Sequence, residues 1–380
     1  MDKRFKATLH VLSISMMILN IAVFATGCSN KISPENSPTP SLSSTPNPSP
    51  SIEPTTTPVP SQEPGNVSLI RTDYANYNPN ESGEIPILMF HQFVKAFEPG
   101  MDKDYVTTFK EFEKLLPELF DKGFRLISMT DFIDCNINVP AGTMPMVFSF
   151  DDGTPSQFNL LDANGVNNVN PESAVGIMMA FNKEHPDFGL KGIFYLNLDT
   201  GNNTFKGAGT LKERLEFLQN TGFELGSHTW GHVKFKDIKS TGGILEALGK
   251  NQEAAYSILP NLKFYSLALP YGSLPGSDDL KALLKEGNYG NTHYKNFSIM
   301  AVGANPSPPS ISSKYNPDYV PRIRMQGQVA VDQDLTWWLP KMTPARMFVS
   351  DGDPVTIVVP SANKDKINEA GLNGKKLITY

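Results

Sequence analysis

Cysteine is scarce: the 380-residue chain holds only Cys28 and Cys135, too few for a disulfide framework. Charge of one sign is also lacking. Lys and Arg number 33 against 39 Asp and Glu, the basic residues are scattered, and nothing in the pattern asks for nucleic acid. No internal repeat is visible, and the length with its mixed composition fits one large domain or two small ones. Histidine is rare too, six in all and none after His293, so any histidine chemistry must come from few places.

The N-terminus reads as an export signal. Lys3, Arg4 and Lys6 precede a mostly apolar stretch from Ala7 to Phe24, and Ala25-Thr26-Gly27-Cys28 closes it. Residues 1–28 therefore resemble the signal and lipobox of a bacterial lipoprotein, with Cys28 as the lipid attachment. The competing reading is a transmembrane anchor, weakened by His10, Ser13, Ser15 and Asn20 in the apolar run. Either way the rest of the chain is expected outside the cytoplasm, lipid-anchored to the cell membrane in the first reading. Cys135 is then left alone and is expected as a small buried residue. Residues 29–80 follow as a linker rich in Ser, Thr and Pro, which cannot bury apolar surface and stays extended. At about 3.1 Å per residue its Ser/Thr/Pro-dominated part, residues 29 to about 66, reaches on the order of 100 Å.

From Ile85 apolar runs alternate with helical patterns, the mark of an α/β fold with parallel strands and crossover helices. Thr108 and Glu111 make a capping box before the stripe Phe112, Leu115, Leu116, Leu119 and Phe120, with Pro117 expected to kink or end that helix. Thr210 and Glu213 open a second helix in the same way. Strands are expected at Arg125–Ser128, Gly192–Leu196, Phe223–Ser227, Phe264–Leu269, Ser298–Val302 and Val355–Val359, and helices near Ile244–Ile258 and Asp278–Glu286. The catalytic domain is placed at 85–360, residues 154–191 are expected as an elaborated loop on the active face, and 361–380 as a C-terminal extension.

Four polar signals each follow an apolar run: His91, Asp151-Asp152-Gly153, His228-Thr-Trp-Gly-His232 and Pro270-Tyr271-Gly272. If the runs are strands of one barrel, all four lie at C-terminal strand ends, where barrel enzymes gather their chemistry. His228, His232 and one of the paired aspartates give the three protein ligands of a catalytic zinc or other divalent site, and the second aspartate is free to act as a base. Tyr271 offers a backbone N–H as an oxyanion donor. His91 is the best candidate for a general acid, and Ser227 or Thr229 for fixing a ring tautomer. Trp230, Trp337 and Trp338 are candidate sugar-stacking platforms.

From about Ile85 to Arg324 these residues resemble the polysaccharide deacetylases of carbohydrate esterase family 4, with its NodB-homology domain. The likeness is strongest in Ser149-Phe150-Asp151-Asp152-Gly153 and Ser227-His228-Thr229-Trp230-Gly231-His232. It implies a deformed (β/α) barrel of about seven parallel strands with surrounding helices, Asp151 as general base, Asp152, His228 and His232 as ligands of Zn2+ or another divalent cation, and Tyr271 as oxyanion donor. The implied reaction is removal of N-acetyl groups from an extracellular polysaccharide of the peptidoglycan or poly-N-acetylglucosamine type, with no obligate protein partner. An O-acetyl esterase acting on xylan, or a non-catalytic glycan- or metal-binding lipoprotein, are the alternatives. Two departures stand out. Ala268 occupies the position where many members carry an arginine that orients the base, and the late Leu-x-His motif that supplies the acid is missing. Both fit a branch with rearranged motif order, in which His91 serves as acid and Arg322 or Arg324 orients the base.

Overall fold

The computed structural model describes residues 73–102, 104–325 and 333–380. The expected export signal, Cys28 and the expected linker up to residue 72 lie outside the described residues. Among the described residues, no helix is long and apolar enough to cross a membrane.

Eight strands, all paired in parallel, form one curled sheet: β1 (Ile87–Phe90), β2 (Phe124–Leu126), β3 (Met144–Asp151), β4 (Ile193–Leu196), β5 (Glu224–Ser227), β6 (Ser266–Ala268), β7 (Ser298–Met300) and β8 (Ile323–Arg324). Their order is β7-β6-β5-β4-β3-β1-β8, with β2 paired to β3 off this path. The edges of the curl approach each other: Met300 at the end of β7 bridges in parallel to Val320, just ahead of β8. This is the deformed (β/α) barrel that the resemblance implied, built on the parallel strands that the alternation of strands and helices predicted.

Burial explains why these runs are apolar throughout rather than alternating. All four residues of β1 and all eight of β3 are buried, as parallel strands covered on both faces require. Around them Phe90, Phe112, Phe148, Phe150 and Phe194 pack edge-to-face and offset, with Phe150 4.7 Å from Phe194 and 5.2 Å from Phe90 between ring centroids.

Both capping boxes form, at Thr108–Glu111 and Thr210–Glu213. Pro117 does not end its helix, which runs from Phe109 to Asp121. Pro117 and Glu113, whose carbonyl loses its helical donor, both lie on the exposed face of the helix. Several boundaries shift for local reasons. The β2 strand stops at Leu126 because Ser128 caps the helix Met129–Ile133. The helix starting at Asp278 ends at Ala282, since Glu286–Tyr289 pairs with Thr292–Lys295 as a hairpin. The stretch 154–191 is only partly an elaboration: it contains the hairpin Leu160–Ala163 with Val166–Val169, but also the helix Ala174–Glu184 that carries the chain from β3 to β4.

The ends of the domain differ most from expectation. Part of the expected linker is folded onto the domain, with a short helix Tyr74–Tyr77 and an Asn80–Val349 bridge. The strand Thr356–Val359 lies outside the barrel and pairs in parallel with Lys376–Thr379, so residues 361–380 return to the fold rather than extend from it. Glu81, buried together with Asp351, pins this region: its carboxylate accepts the backbone N–H of Val358 at 2.7 Å and of Asp351 at 3.2 Å. Burial, reinforced by Asp351, pushes the Glu81 pKa well above its ordinary 4.5. A carboxyl raised on folding contributes stability below its unfolded value, and that contribution is lost as pH climbs toward the folded value. Melting temperature is therefore expected to fall as pH rises above 4.5, and Glu81→Gln, whose side chain stays neutral, is expected to flatten that slope. An unaltered slope in thermal scans of the variant would assign the pH dependence elsewhere.

Candidate metal centre and catalytic cleft

Strand register brings distant residues together. Phe90 stands opposite Phe150, Asp151 opposite Tyr195, Leu196 opposite Ser227, and Ser227 opposite Leu267. The residues immediately beyond these partners, His91, Asp152 and His228, thus emerge side by side at one rim. A cavity of about 280 Å³ there is lined by His91, Asp151, Asp152, His228, His232 and Tyr271, so every expected strand-end signal contributes to one hollow.

The local backbone is unusual at these positions. Asp152, Thr229, His232 and Tyr271 all have positive φ, at 78°, 71°, 45° and 59°. Side chains bearing a Cβ rarely sit there, and such strain concentrates where geometry serves function. At Asp152 the turn sends two neighbouring carboxylates to different partners. In the histidine loop it folds both imidazoles toward the same point.

The His228 Nδ1–H donates to the Ala268 carbonyl at 2.9 Å, which leaves Nε2 with its lone pair facing Asp152. Backbone carbonyl, not Ser227 or Thr229, therefore fixes this tautomer. Beneath the loop Asn197 Nδ2 donates to the His228 and Thr229 carbonyls, while Asn251 joins Leu196, Leu198 and Ser227. Asp152 Oδ1 lies 3.4 Å from His228 Nε2 and 3.5 Å from His232 Nε2. Donors at about 2.0–2.1 Å from one tetrahedral ion stand about 3.3–3.4 Å apart, so this spacing fits a zinc-sized divalent cation.

Asp151 is fully buried and bound bidentately by Arg322, Nη1 to Oδ1 at 2.7 Å and Nη2 to Oδ2 at 2.8 Å. Arg322 is itself fully buried and fixed by the Ala301 carbonyl at 2.8 Å and Ser149 Oγ at 3.2 Å. Burial alone would push the Asp151 carboxyl up, but the Arg322 guanidinium, together with His228 and His91, outweighs it and holds the group below the usual carboxylate range. Arg322 thus takes the place left vacant by Ala268. Arg324, the other candidate, does not reach Asp151: it pairs with Asp104 at 3.1 Å.

His91 Nε2 stands 3.7 Å from Asp151 Oδ2, with the Tyr105 ring edge-on at 4.9 Å. Burial lowers its pKa, partly opposed by Asp151 and Asp152. Tyr271 tops a tight turn whose own bonds run from Gly272 N–H to Leu269 and from Ser273 N–H to Pro270, so the Tyr271 N–H is not spent on the turn. Its ring is exposed and rests 4.7 Å from that of His232.

Of the expected stacking platforms, Trp337 and Trp338 do not line this cavity. Trp338 is buried with its indole N–H on the Ala304 carbonyl at 2.6 Å, and Trp337 lies under Lys341 at 3.5 Å. Trp230 is covered by Lys250 at 4.9 Å. The aromatic walls of the cleft are Tyr105 and Tyr271. Tyr105 gave no sign in the sequence, since it sits in a polar loop ahead of a helix. Cys135 is buried, as expected of a structural residue.

Residues 140–290 match the family described as Polysaccharide deacetylase. No curated protein matches the chain. Among solved structures it is similar to a polysaccharide deacetylase from Bacillus cereus, at 18% identity and a TM-score of 0.49, over 68% of each chain. It is also similar to the Streptococcus pyogenes deacetylase PplD, solved in complex with acetate, at 16% identity and a TM-score of 0.49, over 69% of this chain and 99% of that one. The third is IcaB from Ammonifex degensii, at 15% identity and a TM-score of 0.45, over 65% and 94%.

Proposed function

On the strength of the match between residues 140–290 and the polysaccharide deacetylase family, we propose that the chain is an exported, metal-dependent hydrolase removing N-acetyl groups from an extracellular polysaccharide. The observation that carries this reading is the pairing across one cavity of an Asp152–His228–His232 donor set with Asp151, clamped by Arg322, and His91 beside it.

A divalent cation held by Asp152, His228 and His232 supplies polarisation of an acetyl carbonyl and acidification of a water. Asp151 takes a proton from the attacking water. Arg322 keeps that carboxylate ionised and aimed, which is what a base working in a buried position needs. The Tyr271 N–H donates to the developing oxyanion, a role a rigid turn fills without reorganising. His91 donates a proton to the departing amine, and burial makes its imidazolium a stronger acid than a solvated one. The cavity takes an acetamido group, while the rest of a polymer lies across the rim between Tyr105 and Tyr271.

The N-terminal sequence supports a lipid anchor at Cys28, which would keep this chemistry at the outer side of a bacterial membrane. The test is acetate release from N-acetylglucosamine oligomers by the purified protein, with zinc analysis, and recovery of the protein in membranes before and after Cys28→Ser. Turnover is expected to vanish on chelation and return with Zn2+. Turnover undiminished in Asp152→Ala and His228→Ala would remove the cation from the reaction. Faster release from acetylated xylan than from the oligomers would make the protein an O-acetyl esterase.

A further inference from the structure

The hydrogen-bond ladder between β1 and β3 has its last register pair at Phe90 and Phe150, one residue short of the two groups that matter. His91 and Asp151 stand where the strands are free to splay. A side chain takes over there. Gln157 is fully buried, and its Nε2 donates to the main-chain carbonyl of His91 at 2.5 Å and to that of Asp151. One amide nitrogen thus joins the backbones of the acid and the base.

The amide is itself firmly placed. Gln157 N–H bonds to Thr154 and its carbonyl accepts the Val175 N–H, tying it to the start of the helix Ala174–Glu184. Its neighbour Ser156 accepts the Phe93 N–H at 3.0 Å, so the same turn grips the chain on the far side of His91. The Gln157 Oε1, by contrast, is buried without a partner among the described residues. A buried acceptor left unpaired is costly, and an apolar side chain of equal length would fill the space without it. What the amide adds is the pair of donated bonds.

Resting on the deacetylase reading above, we propose that Gln157 is a positioning residue, a side-chain rung that replaces the missing backbone rung between His91 and Asp151 and so sets the approach of the acid to the base. It touches neither substrate nor cation; it acts through the two residues it joins.

The test separates placement of the acid from general damage by choice of leaving group. An amine must be protonated to depart from an amide, whereas the phenolate of 4-nitrophenyl acetate leaves without a proton. For Gln157→Met, which keeps the length and loses both bonds, kcat on N-acetylglucosamine oligomers is expected to fall about 10–100-fold, the scale of a misplacement near 1 Å. KM on the oligomers, cation content and turnover of 4-nitrophenyl acetate are expected to stay close to those of the unaltered protein. Equal losses on the amide and the ester, or no loss on the amide, would overturn the proposal. If the methionine variant does not fold, Gln157→Glu carries the same comparison, because its carboxylate keeps the shape and faces two carbonyl oxygens. His91→Ala, measured alongside, keeps the two readings apart. Amide turnover that survives it defeats His91 as acid, while its loss together with an unchanged amide-to-ester ratio in the Gln157 variants defeats the rung alone.

Discussion

Replacing Asp151 by asparagine is expected to lower kcat for acetate release by about 10²–10⁴-fold, the range that removal of a general base commands. The cation should remain bound, because the three donors are Asp152, His228 and His232 and none is touched. Asparagine keeps one oxygen for Arg322 but leaves the buried guanidinium without its counter-charge, so a lower melting temperature is expected as well, and kcat is compared at a temperature where both proteins are folded. His91→Ala should fall in the same range on amide substrates. The pair of results is diagnostic: two inactive variants with full zinc content place both groups in the chemistry and exclude a protein that only binds glycan or metal, whereas an Asp151→Asn protein as active as its parent would remove this carboxylate from the reaction. Paired kinetics and metal analysis on the same preparations decide between them.

Arg322→Leu is expected to damage both stability and rate. The guanidinium and the carboxylate are each almost wholly withdrawn from water, and taking away one partner strands the other's charge. Breaking such a buried pair costs about 3–5 kcal/mol, far more than the pair contributes relative to an apolar replacement. Asp151 would then escape by taking up a proton, since the burial that now works against its ionisation would be unopposed by its largest stabilising partner. A protonated base does not accept a proton, so activity should fall with the melting temperature. Arg324→Leu provides the contrast. Its partner Asp104 is exposed to solvent, and surface pairs of that kind contribute about 0–1 kcal/mol. A rate loss in Arg324→Leu equal to that in Arg322→Leu would reverse the assignment of the two arginines.

How much of this was legible in the sequence depends on whether the information was local. Apolar runs ending in His91, Asp151 and Ser227 announced parallel strands with chemistry at their tips, and the tips do meet. Thr108–Glu111 and Thr210–Glu213 were readable because a capping box is contained within four residues. The choice between Arg322 and Arg324 was not, because it turns on how the sheet curls: only the curvature that brings Val320 to Met300 puts the earlier arginine inside. The Ala268 contribution was invisible for another reason. It comes from a carbonyl every residue possesses, so no side chain advertised it. Gln157 was equally silent, a polar residue in a polar turn whose partners are main-chain atoms. The tryptophans misled because aromatic surface is shared by packing and by sugar binding, and tertiary context settled Trp338 for packing. Residues 361–380 were set apart because their partner strand, Thr356–Val359, lies before them across a polar stretch.

The clasp between Arg322 and Asp151 joins points 171 residues apart. During synthesis the aspartates and histidines of the site are all in place well before the arginine exists, and until the last barrel strand docks Asp151 lacks its guanidinium partner. The stretch 140–290 that carries the recognisable motifs contains neither His91 nor Arg322. Cut out on its own, it would hold Asp152, His228 and His232 but not the guanidinium that clamps Asp151, so the cleft is complete only once β8 has paired with β1.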